Sequence, residues 1–408
     1  MTATRFRLRL AAALFFLTFS IFGAEDSPRI RAFRVEGLRR TKPAVLEPYY
    51  LPYQGRPLSQ FSRDALVQNL RSLGIFHLVE VAPVPVAEEV VDIRISVQEK
   101  WTLIPVPVGG ATGGGRVYGG FMFMESNLLG YNKKMYGGAI LSNIGWKGLL
   151  GYIDPKFPDP RTSLLLFFSG GVDRIDNADP DGTVFQKYET TGVALRAEIQ
   201  RRVAGGFSVA AGAEFQEQDL NAGYGPSLAP PGEARAWGPT LTLRYQDLYY
   251  DRILVYGLSA QVRYEYKFDF DEYSGMGQFY GRISDRLRFG LKTSLTLAPD
   301  TPRTMELRVS ERLFRTLPDG VTADSAAAAE VSLEFTAAEF RWGALTLRAA
   351  FEGGLFDRDG SDPGGTHGPA AGARVYMSRI ALPAFGFDMS YGAVTGDFYF
   401  GVNVGLQM

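Results

Sequence analysis

The stretch Asp397–Met408 reads Asp-Phe-Tyr-Phe-Gly-Val-Asn-Val-Gly-Leu-Gln-Met. Phe398, Phe400, Val402, Val404, Leu406 and Met408 fall on one face of an extended chain, and Tyr399, Gly401, Asn403, Gly405 and Gln407 on the other. Strict period-two alternation marks a strand that is apolar on one side and polar or small on the other. Earlier segments repeat the pattern. Leu254, Tyr256, Leu258, Ala260, Val262, Tyr264 and Tyr266 alternate with Val255, Gly257, Ser259, Gln261, Arg263 and Glu265. Val193, Leu195, Ala197 and Ile199 alternate with Ala194, Arg196, Glu198 and Gln200. Apolar positions facing lipid and charged positions facing a wet lumen make a transmembrane β-barrel, and the last stretch reads as its closing strand.

The 408 residues leave room for two domains. Lys+Arg 43 against Asp+Glu 44 gives no overall field to recruit nucleic acid. The 47 glycines and 13% aromatics suit a barrel, and the lack of cysteine excludes a disulfide scaffold and a Cys metal site. The two histidines, His77 and His367, are far apart and read as ordinary packing or surface residues. Gly113–Gly115 lacks a following Lys-Ser/Thr and reads as a turn, not a phosphate cradle. With no nucleophile elbow or zinc spacing either, no catalytic residue, metal ligand set or cofactor is expected, and the chain does not read as an enzyme.

At the N-terminus, Arg5, Arg7 and Arg9 precede an apolar run from Leu10 to Phe22, followed by Gly23-Ala24 and then Glu25-Asp26. This is the pattern of a cleavable signal peptide over 1–24. No later segment is a long unbroken apolar run, so any membrane crossing downstream must use strands.

Residues 28–99 form a first folded unit. Ile30, Ala32, Phe33 and Val35 open a strand ended by Gly37. Val45–Leu51 has helical composition and is broken by Pro52 and Gly55. Ser62 is placed to cap a second helix carrying Ala65, Leu66, Asn69, Leu70 and Leu73, stopped by Gly74. Val79 and Val81 begin a second strand, and Val91, Ile93, Ile95 and Val97 alternate with polar residues in a third. The order β-α-α-β-β predicts a small α+β domain.

From 101 to 408 the alternation predicts about sixteen antiparallel strands, an even number as bacterial barrels require. The first is 102–111 and the last 397–408. The long connections 173–187, 218–235, 299–328 and 354–368 all follow odd strands, so all lie at one end of the barrel. Closure requires 102–111 to pair with 397–408. Pro105, Pro107, Gly109 and Gly110 on one side and Phe400, Gly401 and Gly405 on the other therefore predict a weak seam.

Val35-Glu36-Gly37, the run Leu70–Phe76 and Val97-Gln98-Glu99 resemble a POTRA domain, present once. Asn127-Leu128-Leu129-Gly130-Tyr131, the loop Leu313–Gly320, the strand Glu330–Phe335 and Ala350-Phe351-Glu352-Gly353-Gly354 resemble, in order and spacing, the BamA-like superfamily, which includes TamA and the two-partner secretion transporters. The resemblance implies a loop folded into the lumen and locked by Arg315, next to Phe314, through Glu334 and Glu352. It departs from the family pattern at Thr316, Leu317, Glu352 and Met408. The function it implies is outer-membrane protein assembly, insertion or translocation, with the POTRA-like domain in the periplasm. The implied partners are outer-membrane lipid, unfolded clients and periplasmic accessory proteins. The competing expectation is a passive pore or structural surface antigen of the same fold.

Overall fold

The computed structural model describes residues 27–112, 115–223, 233–251, 254–268, 270–302, 304–358, 363–377 and 383–404. The expected leader at 1–24, the seam residue Gly405 and the terminal Met408 lie outside these. The chain divides into two compact units. The first runs to Thr102 and includes Ser126–Asn132; the second comprises Leu103–Glu125 and the residues from Lys133 onward.

The first unit has β1 (Arg29–Glu36), α1 (Glu47–Tyr50), α2 (Arg63–Ser72), β2 (Phe76–Ala87) and β3 (Val90–Glu99). Where the composition predicts one helix over Val45–Leu51, prolines 43, 48 and 52 divide the segment into α1 and flanking 3₁₀ turns. The Ser62 hydroxyl caps α2, accepting from the Ala65 N–H at 3.3 Å. The sheet order is β1-β3-β2, with β1 parallel and β2 antiparallel to β3. Ile30, Leu46, Leu70, Ile75, Ile93 and Ile95 form its core. This α+β arrangement fits a POTRA-like domain.

On the sheet face away from that core, Asp92 is buried and receives two hydrogen bonds from Arg31, at 2.8 and 2.7 Å, and one from Arg34 at 3.1 Å. The Arg31 bonds hold the Asp92 carboxyl below its ordinary range, against the opposing effect of burial. A depressed folded-state value means stability that is present above the unfolded carboxylate range and lost as pH falls through the folded value. Protection of the β1 amides against exchange in the full chain, taken relative to the intrinsic rate at each pH, should therefore fall below about pH 4. Asp92→Asn should flatten that acid limb; an unchanged limb in the variant would assign it to other carboxylates.

β2 pairs with β3 alone among the described residues, and the ladder runs from Leu78 to Pro85 without a shift. A proline has no N–H, so an unbroken ladder requires the imides of Pro83 and Pro85 to face the opposite edge. Half of the free edge of β2 thus lacks donors.

The second unit is a closed antiparallel barrel. Its strands are β4 (Leu103–Thr112), β5 (Val117–Leu128), β6 (Lys133–Ser142), β7 (Gly145–Asp154), β8 (Thr162–Ala178), β9 (Val184–Ala204), β10 (Phe207–Gly223), β11 (Ala234–Asp251), β12 (Leu254–Lys267), β13 (Phe270–Arg282) and β14 (Leu287–Leu297). A loop carrying β15 (Leu307–Arg308), α3 (Val309–Arg312) and β16 (Thr322–Ala323) follows. The wall resumes with β17 (Ser325–Phe340), β18 (Gly343–Asp357), β19 (Gly364–Met377), β20 (Pro383–Tyr391) and β21 (Phe398–Val404). Sixteen wall strands close the cylinder, as the alternation predicts.

The barrel is apolar outside and charged inside. Leu243 and Val262 are more than half exposed, whereas Arg263, the next residue on β12, is 4% exposed. Exposed aromatics gather at both ends. Phe207 packs on Tyr245 and Phe340 on Trp342 at one end; Trp237 packs on Phe268 and Tyr391 on Phe398 at the other. An apolar band between two aromatic girdles is the surface a bilayer requires.

Candidate functional site at the seam and in the lumen

Among the described residues, the barrel closes between β21 and β4 through four residue pairs: Gly401–Thr112, Val402–Ala111, Asn403–Gly110 and Val404–Gly109. On its other side β4 pairs with β5 at nine consecutive positions, through both prolines and without a shift. That register directs the donors of the even positions to β5. The odd positions face β21, and Pro105 and Pro107 present no donor there. Both prolines are in the wall, opposite Phe123 and Phe121 of β5, with no β21 partner among the described residues. Gly110 permits the close approach that remains: a methyl in its place would lie 2.3 Å from the Val402 carbonyl oxygen. Phe400 pairs with Met389 of β20 and is exposed to the outside, just past the four pairs.

The loop between β14 and β17 turns into the lumen because it has an apolar core of its own. Val309, Phe314, Leu317, Val321 and Ala323 bury against Ala326 and Phe356 of the wall. Phe314 is 1% exposed, with its ring centroid 6.1 Å from that of Phe356. Its slot exists because position 354 is glycine. An added methyl there would lie 2.0 Å from the Ala327 carbonyl and 2.8 Å from the Phe314 ring. Phe314→Ala should weaken loop docking by about 3–5 kcal/mol, and Gly354→Ala should also unseat the ring. Both should expose 304–323 to protease in a barrel that stays folded; equal protection in all three proteins would overturn this account.

Arg315 is the polar anchor. Its backbone N–H donates to Glu352 Oε1 at 2.5 Å and its Nε to Glu352 Oε2 at 3.1 Å. Its two terminal nitrogens reach Glu330 and, at 3.5 Å, Asp388. The Ser390 hydroxyl donates to the Arg315 carbonyl. Thr366 Oγ1 donates at 3.2 Å to the carbonyl of the buried Thr316. Arg348 pairs with Glu330, and Arg374 lies 3.5 Å from Asp388. Three arginines and Lys292, whose Nζ lies 4.0 Å from Glu330, thus face three carboxylates, and removing Arg315 takes away the cation that Glu352 meets.

One expected partner is corrected. Glu334 does point inward but does not meet Arg315. It accepts from Arg288 at 2.5 and 3.0 Å, from Thr346 at 2.6 Å and from Tyr376 at 3.0 Å. Glu330, four residues along the same face, takes the place assigned to it. The reason is register: Glu330 lies directly opposite Glu352, and Glu334 lies opposite Arg348. Two carboxylates facing each other across a ladder repel, and Arg315 and Arg348 offset that repulsion.

A second network lies on the wall formed by β9–β13. Arg263 Nη2 meets Glu214 at 2.7 Å and Nη1 meets Glu198 at 3.5 Å; its Nε contacts Glu265. Lys267 bridges Glu265 at 3.4 Å and Glu272 at 2.5 Å. Between this network and the loop is a cavity of about 930 Å³ whose lining includes Arg116, Glu214, Arg263, Glu306, Arg308 and Asp319. The sequence placed Arg196, Glu198, Arg263 and Glu265 in the lumen by alternation, but nothing in it signalled that they meet. Among the described residues no cluster has the make-up of a metal site.

No family model and no curated protein matches the sequence. Solved structures do match. BamA from Haemophilus ducreyi lacking POTRA domains 1–3 aligns with a TM-score of 0.67 at 13% identity, covering 93% of this chain and 85% of that one. CdiB from Acinetobacter baumannii aligns at 0.64 and 14% identity, covering 93% and 74%. CdiB from Escherichia coli aligns at 0.61 and 16% identity, covering 93% and 77%. With the sixteen strands and the inward loop already in place, the conclusion is that the chain has the outer-membrane barrel fold shared by BamA and CdiB.

Proposed function

We propose that this chain moves protein clients into or across the outer membrane by transient opening of the β4–β21 seam, with the POTRA-like unit receiving them in the periplasm. The observation that carries the reading is the β4 edge at the seam, from which Pro105 and Pro107 remove donors; among the described residues it pairs with β21 at four positions. Opening exposes backbone groups that hydrocarbon cannot satisfy. A client strand can satisfy them by pairing at the edge. The work is a lowered barrier to strand entry; no covalent bond is made or broken, and the reading assigns no catalytic residue and no cofactor. Against a standing open pore is the loop that lies buried in the lumen through Phe314, Thr316 and Leu317.

Depleting the protein and then taking a census of the outer-membrane proteome tests this. Loss of many barrel proteins is expected of an insertase, and loss of one exported protein of a dedicated transporter. A census unchanged in both fractions would overturn the reading in favour of a pore or surface protein.

A further inference from the structure

The loop segment 315–321 touches the wall on both sides of the seam. At its start, Arg315 is fixed to Glu330 and Glu352 of β17 and β18 and to Asp388 and Ser390 of β20. Thr316 is fixed to Thr366 of β19. Farther along, Asp319 Oδ2 accepts from the Thr112 hydroxyl of β4 at 2.7 Å. The Gly320 carbonyl then accepts from the Ala178 N–H of β8 at 3.0 Å, and Val321 forms a parallel bridge with Ala178. At the base of the loop Arg308 meets Asp173 of β8 at 3.1 Å, a carboxylate that Lys147 of β7 also holds at 3.0 Å.

The wall order places the seam between these two sets of fastenings. It runs β17-β18-β19-β20-β21, then β4-β5-β6-β7-β8. From β20 to β4 is two strand spacings, about 9.5 Å. Four residue steps, from 315 to 319, reach at most about 14 Å when extended. The segment is thus long enough to cross behind β21, with little slack. Thr112, the residue it grips, is itself one of the four seam positions, paired with Gly401.

We infer that residues 315–321 are a strap across the inner side of the seam, held by Arg315 at one end and by Asp319 and Gly320 at the other, so that the seam opens only when one end lets go. Asp319 and Thr112 are then positioning residues for the seam opening described under the proposed function, on which the use of this device rests. The strap adds to the seam's backbone pairs a charge-assisted bond that depends on the loop's position. The two fastenings act in series. Cutting Arg315 frees the near end, cutting Asp319 releases β4 and leaves the far end only its backbone hold on β8, and adding the second cut to Arg315→Ala frees the strap no further.

Seam opening can be read without any client. Spin labels at Leu141→Cys on β6 and Leu355→Cys on β18, both exposed on the outside and on opposite sides of the seam, report the distance between the two flanks. In the full chain in lipid, Thr112→Val and Asp319→Ala should each raise the long-distance population roughly tenfold, the worth of one hydrogen bond to a charged group. Arg315→Ala should raise it at least as much, and Arg315→Ala/Asp319→Ala should match Arg315→Ala alone. Thr112→Val keeps the side chain's size, and heat-modifiable mobility verifies that each barrel is folded. Distances unchanged in both Thr112→Val and Asp319→Ala, or a double variant that adds the two effects, would overturn the strap. Distances that shift as expected while client handling stays normal would support the strap and tell against the protein-handling reading.

Discussion

Oxidation of a cysteine pair at Ala111 and Val402 should abolish client handling, and reduction should restore it. The two positions face each other directly across the seam. Opposed residues in an antiparallel ladder are about 4.5–5.5 Å apart at Cα, within the range a disulfide spans. Gly110–Asn403 is a poorer choice because a side chain at 110 would collide with the Val402 carbonyl. Each single cysteine should behave like the unmodified chain. The expected loss is complete because the bond converts a breakable ladder into a covalent closure. Handling that continues through a crosslink verified on a gel would remove the seam from the mechanism, while leaving the fold as described.

Arg315→Ala carries the second large effect. It leaves Glu330 and Asp388 with Arg348, Arg374 and Lys292 but takes the guanidinium from Glu352, which is 2% exposed. Removing one member of a buried ion cluster costs about 3–5 kcal/mol. The loop should detach and client handling fall by well over tenfold. Arg315→Lys should recover little, since an ammonium cannot present the planar fork that reaches three carboxylates. The carboxylates separate this account from a general loss of lumenal charge. Glu330→Gln and Glu352→Gln should loosen the loop, whereas Glu334→Gln should not, because Glu334 is held by Arg288, Thr346 and Tyr376. Protease access to 304–323 reads the loop directly. Equal effects at 330 and 334 would sink the assignment.

Much of this architecture is legible in the sequence because a strand has a period of two. Alternation in 254–266 and 397–404 is a statement about which atoms meet lipid, and it locates the inward faces of Glu334 and Glu352 without reference to any fold. What alternation lacks is depth. Every even position from 326 to 334 points inward, so choosing the partner of Arg315 needs the register of β17 against β18. A bulge between Thr336 and Ala338 shifts that register by one residue and brings Glu330 opposite Glu352. No feature of the segment Phe335-Thr336-Ala337-Ala338 marks a bulge. The strap was hidden for a related reason: Asp319 and Thr112 are 207 positions apart, and only barrel closure makes them neighbours. The missing donors of the β4 prolines were readable, because a missing N–H is local chemistry.

Pro-Val-Pro occurs at 83–85 and again at 105–107, and each time the register turns the imides toward an edge, where they offer no donor. For a visiting peptide, such an edge is a rail with rungs missing. Each backbone bond contributes only about 0.5–1.5 kcal/mol net, so omitting two of them shortens the visitor's stay more than it slows its arrival. A carrier that gripped along its full length would keep its cargo. Under the proposed function, these two tripeptides would set how soon each edge becomes vacant, and with that the turnover of a docked client.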